Sequence, residues 1–232
     1  PMTSDALAAG AIDGFCVGAP WNMVACERGV GRIVAAKQDI WPSAPEKVIG
    51  MRPDWAAAHG DSVLRLIVAL DKAARWCDRP ENHDALAETL AQPRFIGAPV
   101  DIIRHVLAGR FNLDAIGNSR IVPDYFSFHR NFANYPRPSQ ALWIYSQMIR
   151  WGQADYSDRQ AVDAASAFRP DLYRAALGAD APSAQDDLRI EGAEDGDRFI
   201  DGHVFDPARI ADYVAGFVVR TASTRPFGSD ET

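Results

Sequence analysis

The chain has 232 residues, 47% hydrophobic and 24% charged, with a formal net charge of −7; that is enough for one large or two small domains with a real core. The acidic balance and the lack of a basic stripe exclude direct contact with a nucleic-acid backbone. Apolar runs are interrupted by charge, as at Arg65, Asp71 and Lys72, before reaching the length that spans a bilayer.

Pro1-Met2-Thr3-Ser4-Asp5 has neither the basic region nor the apolar run of a signal peptide, so a signal, if the natural protein has one, is expected upstream. Residues 5–11 read as a helix tail. Ile12–Gly18 reads as an apolar strand running into Pro20 and Trp21, which open a short helix to Arg28, closed by Gly29 and Gly31. Two more strands are predicted at 32–36 and 46–51. After Arg52 the pattern turns helical. Asp61 precedes Val63, Leu66, Ile67, Leu70, Ala74 and Cys77 at helical spacing, and residues 82–92 and 100–110 continue the run. Residues 121–129 look extended.

Ser139 opens an apolar helix through Trp151, ended by Gly152; residues 157–168 and 171–177 give two more. Residues 178–197 are acidic and poor in large apolar side chains, which predicts a surface loop. Asp206 and Pro207 predict a capped helix start, followed by Ile210, Tyr213, Val214 and Phe217 at i, i+3, i+4 and i+7. Residues 221–232 lack periodicity and are expected to be a tail. The fold class is α/β and helix-rich.

Chemistry has few candidates. Gly18 and Ala19 before the Pro20–Trp21 helix start would present backbone N–H groups to an anion, the Trp21 indole adds a donor, and Lys47 adds a full positive charge. Val17 would line such a site through its backbone or methyl groups, although a core strand residue would look the same. Taken alone, this stretch is equally a plain strand–turn–helix, with Lys47 a solvated turn lysine and Trp21 and Trp41 packing residues. The five histidines are scattered without a paired-ligand pattern, so no metal site is expected. Cys16 has no basic partner nearby in sequence, and its apolar strand disfavours a thiolate. The chain carries no Gly-x-Ser-x-Gly elbow, P-loop or dinucleotide fingerprint, and neither a cofactor nor an enzymatic activity is expected. Cys16, Cys26 and Cys77, odd in number and without CxxC spacing, lean toward a reducing compartment.

Particular words of the sequence go further. Asp13-Gly-Phe-Cys-Val-Gly-Ala-Pro-Trp-Asn, Gln38-Asp-Ile-Trp, Pro45-Glu-Lys-Val, Ala133-Asn-Tyr-Pro, Ser139-Gln-Ala-Leu-Trp, Ile149-Arg-Trp-Gly and Phe199-Ile-Asp-Gly-His-Val-Phe occur in this order. Together they resemble the C-terminal half of the nitrate-binding protein family, which comprises solute-binding proteins of nitrate and bicarbonate ABC transporters and related cytosolic nitrate/nitrite sensors. The resemblance implies part of a two-lobed, type II periplasmic-binding-protein-like clamp. Residues 1–52 would close the second ligand-binding lobe, residues 53–220 would pack on and return to the first lobe, and 221–232 would be a tail. The first lobe would come from the missing N-terminal half, whose absence would expose Leu142, Trp143 and Ile144.

The same resemblance implies non-catalytic binding of nitrate or nitrite. Lys47 falls where nitrate-binding members place an anion-contacting lysine; bicarbonate-binding relatives have an acidic residue there and a calcium ion. Ala19 departs from the family, which has an acidic residue before Pro20. The partner is then either an ABC permease, for a periplasmic or membrane-associated receptor, or an RNA-binding antiterminator, for a cytoplasmic sensor. Neither involves direct nucleic-acid contact by this chain.

Overall fold

The structure, a computed structural model, describes residues 2–218. The chain divides into two units: residues up to Ala44 with Arg65–Asn134, and Pro45–Leu64 with the chain from Tyr135 onward. The tail expected at 221–232 lies outside the described residues.

The first unit holds α1 (Met2–Ala8), α2 (Trp21–Glu27), α3 (Lys37–Ile40), most of α5 (Gly60–Cys77), α6 (His83–Leu90) and α7 (Val100–Leu107). Its β-hairpin pairs β1 (Arg110–Asn112) with β2 (Ser119–Ile121), antiparallel, with Phe111 opposite Arg120. The Asp114 carboxylate closes the turn by accepting the N–H groups of Ile116 and Asn118. Gly109 introduces β1 at φ +65°, where a Cβ would stand 2.3 Å from the Val122 carbonyl oxygen. Only glycine allows this approach, through which Val122 donates its N–H to Gly109 O at 2.8 Å.

Two apolar clusters fill the unit. Met23, Ala36, Ile102, Val106, Phe111 and Val122 form one; Leu86, Ala87, Ala98, Ile103 and Leu107 form the other. Helix α7 serves both because its apolar residues recur every three or four positions and so cover two adjoining flanks.

The second unit holds α4 (Pro53–Ala58), the start of α5, α8 (Pro138–Arg150), α9 (Asp158–Ala167), α10 (Pro170–Leu177) and α11 (Ile210–Ala215). Proline begins α4, α8 and α10, where its missing N–H leaves no helical bond unmade. Ser157 caps α9 by accepting the Gln160 N–H at 3.2 Å. Gly152, at φ +69°, ends α8 in a left-handed turn with Gln153 N–H on Met148 O.

Helices outnumber strands among the described residues, as the sequence predicts, but the predicted strands at 12–18, 32–36 and 46–51 are corrected. All three are non-helical and none forms a ladder; the Ile33 N–H on Leu113 O, at 2.8 Å, is an isolated bond. An apolar alternating segment becomes a strand only when a neighbour supplies its hydrogen bonds. Three smaller expectations also change. Helix α11 starts at Ile210, because Asp206 closes a turn by accepting the Ala208 N–H. The acidic 178–197 stretch is anchored rather than purely superficial, since Glu191 is completely buried and bridges to Phe205. Leu142 is buried within the chain, while Ile144 remains 39% exposed. No described helix is long and apolar enough to cross a membrane.

Candidate functional site

Residues 12–20 approach α2 as an extended segment with Cys16 and Gly18 exposed and Val17 and Ala19 half-buried. Burial of Met23, Ala25 and Cys26 fixes α2 behind them. The Cys26 thiol donates to Leu113 O at 3.3 Å, and burial pushes its pKa up, which makes it a packing group and no nucleophile. Pro20 is buried and occupies the cap position, so Trp21, and not Pro20, is the first helical residue. The Ala19–Pro20 peptide is cis. Asn22 Oδ1 accepts the Met23 N–H at 3.0 Å.

The structure therefore brings Val17, Gly18, Ala19 and Trp21 together by chain continuity at the start of α2. Ala19 also packs on the Met23 cluster, and Trp21 on the Leu86–Leu107 cluster. The Trp21 ring thus has the packing role that residue type alone suggests, which leaves Gly18 as the exposed residue of the group.

Sequence reading gave Trp41 its packing role but not the hydrogen bonds that brace this region. Asp39 Oδ2 accepts the Ala36 N–H at 2.7 Å and Arg120 Nη2 at 2.6 Å, which ties α3 to β2. Burial pushes Asp39 toward neutrality, but the hydrogen bonds from Arg120 and Ala36 outweigh it and hold the carboxyl below the usual range. Gln38 Nε2 donates to Tyr125 O at 2.7 Å, and Trp41 is 1% exposed. Lys37 donates to Pro42 O at 2.6 Å. The Asp39–Ala36 spacing is a half capping box that was legible in principle; the Arg120 contact, 81 positions away, was not.

Lys47 lies in the second unit. Its ammonium is exposed and ion-paired with the neighbouring Glu46. An exposed pair of this kind is worth little. The second unit also has a shallow, open cleft of about 700 Å³ among Pro138, Val162, Phe168, Pro170 and Leu188. Its Arg169 is gripped by both oxygens of Asp171, at 2.8 and 2.6 Å, so the cleft offers a small anion little. Among the described residues no group of three or more His, Cys, Asp or Glu side chains could hold a metal ion.

Comparison with known proteins decides the family. Residues 1–91 match the model of the NMT1-like family. The nitrate import ATP-binding protein NrtC of Synechocystis sp. is 32% identical over 94% of this chain and 32% of its own length. The nitrate/nitrite binding protein NrtA of Synechococcus elongatus is 30% identical over 89% of this chain and 46% of its own length. The crystal structure of the periplasmic nitrate-binding protein NrtA from Synechocystis PCC 6803 superposes with a TM-score of 0.83, at 25% identity, over 93% of this chain and 56% of that one. The chain belongs to the nitrate-binding protein family. Its fold is that of a periplasmic-binding-protein-like protein, and its relatives include nitrate/nitrite-binding and bicarbonate-binding proteins as well as a nitrate import ATP-binding protein. It spans about half the length of the binding-protein members, with 46% of one and 56% of another covered.

Proposed function

We propose that this chain supplies part of a cleft that binds nitrate or nitrite reversibly, with no chemistry performed on the anion. In this reading residues 1–52 belong to the second ligand-binding lobe. The N–H groups of Gly18 and Ala19 meet the anion, with Val17 and Trp21 as walls and Lys47 as the charge partner, released from Glu46 when the anion arrives. The observation that carries the reading is Lys47 itself, an exposed cation at the position where, by the family resemblance, bicarbonate-binding members would have an acid and a calcium ion. Nitrate is flat, singly charged and weakly hydrated, so one lysine and a few in-plane N–H donors suit it, whereas a carboxylate beside it would repel it. Ala19, lacking the family's acidic side chain, agrees with that choice.

The remaining donors would come from the rest of the family's length, with residues 53–220 returning to the first lobe. Delivery to an ABC permease is the favoured destination, because relatives serve nitrate or bicarbonate transport. A cytosolic sensor that releases an RNA-binding antiterminator is the second reading; three free cysteines favour it.

The test is calorimetric titration of nitrate, nitrite and bicarbonate, with and without calcium, into the natural protein at its full length. Nitrate or nitrite should bind without calcium and be recovered unchanged. Binding of bicarbonate alone, or a calcium requirement, would overturn the proposal.

A further inference from the structure

The turn from Ala19 to Trp21 shares its footing in the core with a segment far away in sequence. Ala19 packs on the Met23 cluster and Trp21 on the Leu86–Leu107 cluster, so the residues on either side of Pro20 rest on different parts of the core. Phe126 is half-buried and packs on both clusters, and so spans the same division that the turn spans. Its ring meets Tyr125 edge-on at 5.0 Å and stacks on Phe128 at 5.6 Å. Rings in such contact in a close-packed core shift together and not singly.

The backbone that carries these rings is fixed by polar contacts. Gln38 Nε2 donates to Tyr125 O at 2.7 Å, and Arg130 Nη2 to Phe126 O at 3.2 Å. Asp78, the residue after α5, accepts the consecutive N–H groups of Phe128, His129 and Arg130 at 2.8, 2.7 and 2.6 Å. Its side chain is only 8% exposed. Successive N–H groups converging on one anion form a nest, and this nest is closed over the chain's own carboxylate. Just beyond it Phe132 stands at φ +54°, a left-handed conformation that a bulky residue keeps only where its surroundings hold it. Asp78 supplies three of the bonds that do the holding.

We infer that Asp78 is a positioning residue for the turn at Gly18–Trp21. By fixing the backbone of 128–130 it sets the Phe126–Phe128 stack, and the stack sets how the two core clusters support the residues around Pro20. Asp78 itself touches no anion. Its effect reaches the site because backbone donors serve an anion only when they are held within fractions of an ångström of the productive geometry. The inference rests on the anion-binding reading for its consequence, the affinity for nitrate, but not for the coupling of Asp78 to Trp21.

The test uses the natural protein at its full length, labelled with fluorotryptophan, and two variants. Asp78→Asn keeps the shape but replaces one acceptor oxygen with a donor that faces backbone N–H groups. Phe126→Leu keeps the position apolar and removes the ring, so the inference stays testable if the first variant folds poorly. Fluorine NMR, with the Trp21 line assigned by Trp21→Phe, should show that line shifted or broadened in both variants. The lines of Trp143 and Trp151, in the second unit, should stay in place. Calorimetry should show nitrate affinity reduced about tenfold. Asp101→Asn, at an exposed position of α7, should change neither readout. An unmoved Trp21 line in folded variants would overturn the inference, and so would a moved line with unchanged nitrate affinity. Absence of nitrate and nitrite binding in the unsubstituted protein would instead sink the anion-binding reading, and the Trp21 line alone would then decide whether Asp78 sets the turn.

Discussion

Ser139 and Glu191, both completely buried, are joined by a hydrogen bond of 2.6 Å from Ser139 Oγ to Glu191 Oε1. The other carboxylate oxygen takes Arg189 Nε at 2.9 Å, and Arg189 reaches on to Asp197, also at 2.9 Å. This chain of contacts fastens the acidic 178–197 stretch to the first turn of α8. Ser139→Ala removes a donor from a desolvated carboxylate and should cost about 1–3 kcal/mol. Denaturant unfolding measures it; a change below about 0.5 kcal/mol, the level of an ordinary surface substitution, would mean that Glu191 is held by Arg189 alone.

Acid should weaken the protein through a few named carboxylates. Burial pushes Asp187 up, but Arg174, at 2.8 and 3.1 Å, and the Tyr135 hydroxyl hold it below its ordinary value of 3.8. Asp71 behaves alike, burial being outweighed by Arg75, Asn134 and His129. A folded pKa below the unfolded one means stability that is present above the unfolded value and lost as pH falls through the folded one. Melting temperatures should therefore hold above about pH 5 and drop steeply below pH 4. Asp187→Asn should lower stability at pH 7, and its deficit should shrink at pH 3. A deficit that is constant across this range would refute the assignment.

Gly109→Ala tests the approach to Val122. The new methyl would meet a backbone oxygen at 2.3 Å in a left-handed conformation, so a loss of about 2 kcal/mol or more is expected. Gly60→Ala, which meets nothing within 4 Å, is the control. Equal melting temperatures for the two variants would show that β1 can shift freely.

For the anion, Lys47→Ala and Lys37→Ala form the informative pair in the natural protein at full length. Lys37 already serves Pro42 O at 2.6 Å, whereas Lys47 has only its exposed neighbour Glu46. Nitrate affinity should fall about tenfold or more in the first variant and hardly at all in the second, because a charge-assisted bond to a desolvated anion is worth about 1.5–3 kcal/mol. Equal affinities would return Lys47 to the role of a solvated surface lysine.

Helices were readable where capping and apolar spacing agree. Proline starts α8 and Gly152 ends it, and Ser157 caps α9; each signal is local, because a helix makes its hydrogen bonds within itself. The start of α11 was misplaced by three residues because an Asp-Pro pair closes a turn as readily as it caps a helix.

Sequence by itself determined the helix-rich class and the family. Both rest on local pattern or on the order of words along the chain. Tertiary structure decided what depends on partners distant in sequence. It left 12–18, 32–36 and 46–51 without ladders, since a strand needs a neighbour's N–H and C=O groups. It joined Asp39 to Arg120, Asp78 to the 128–130 backbone and Ser139 to Glu191. It also buried Asp71 of α5 against Arg75 while leaving Asp61 of the same helix exposed. Charges are printed in the sequence, but which of them are spent on internal bonds is settled only when the chain folds.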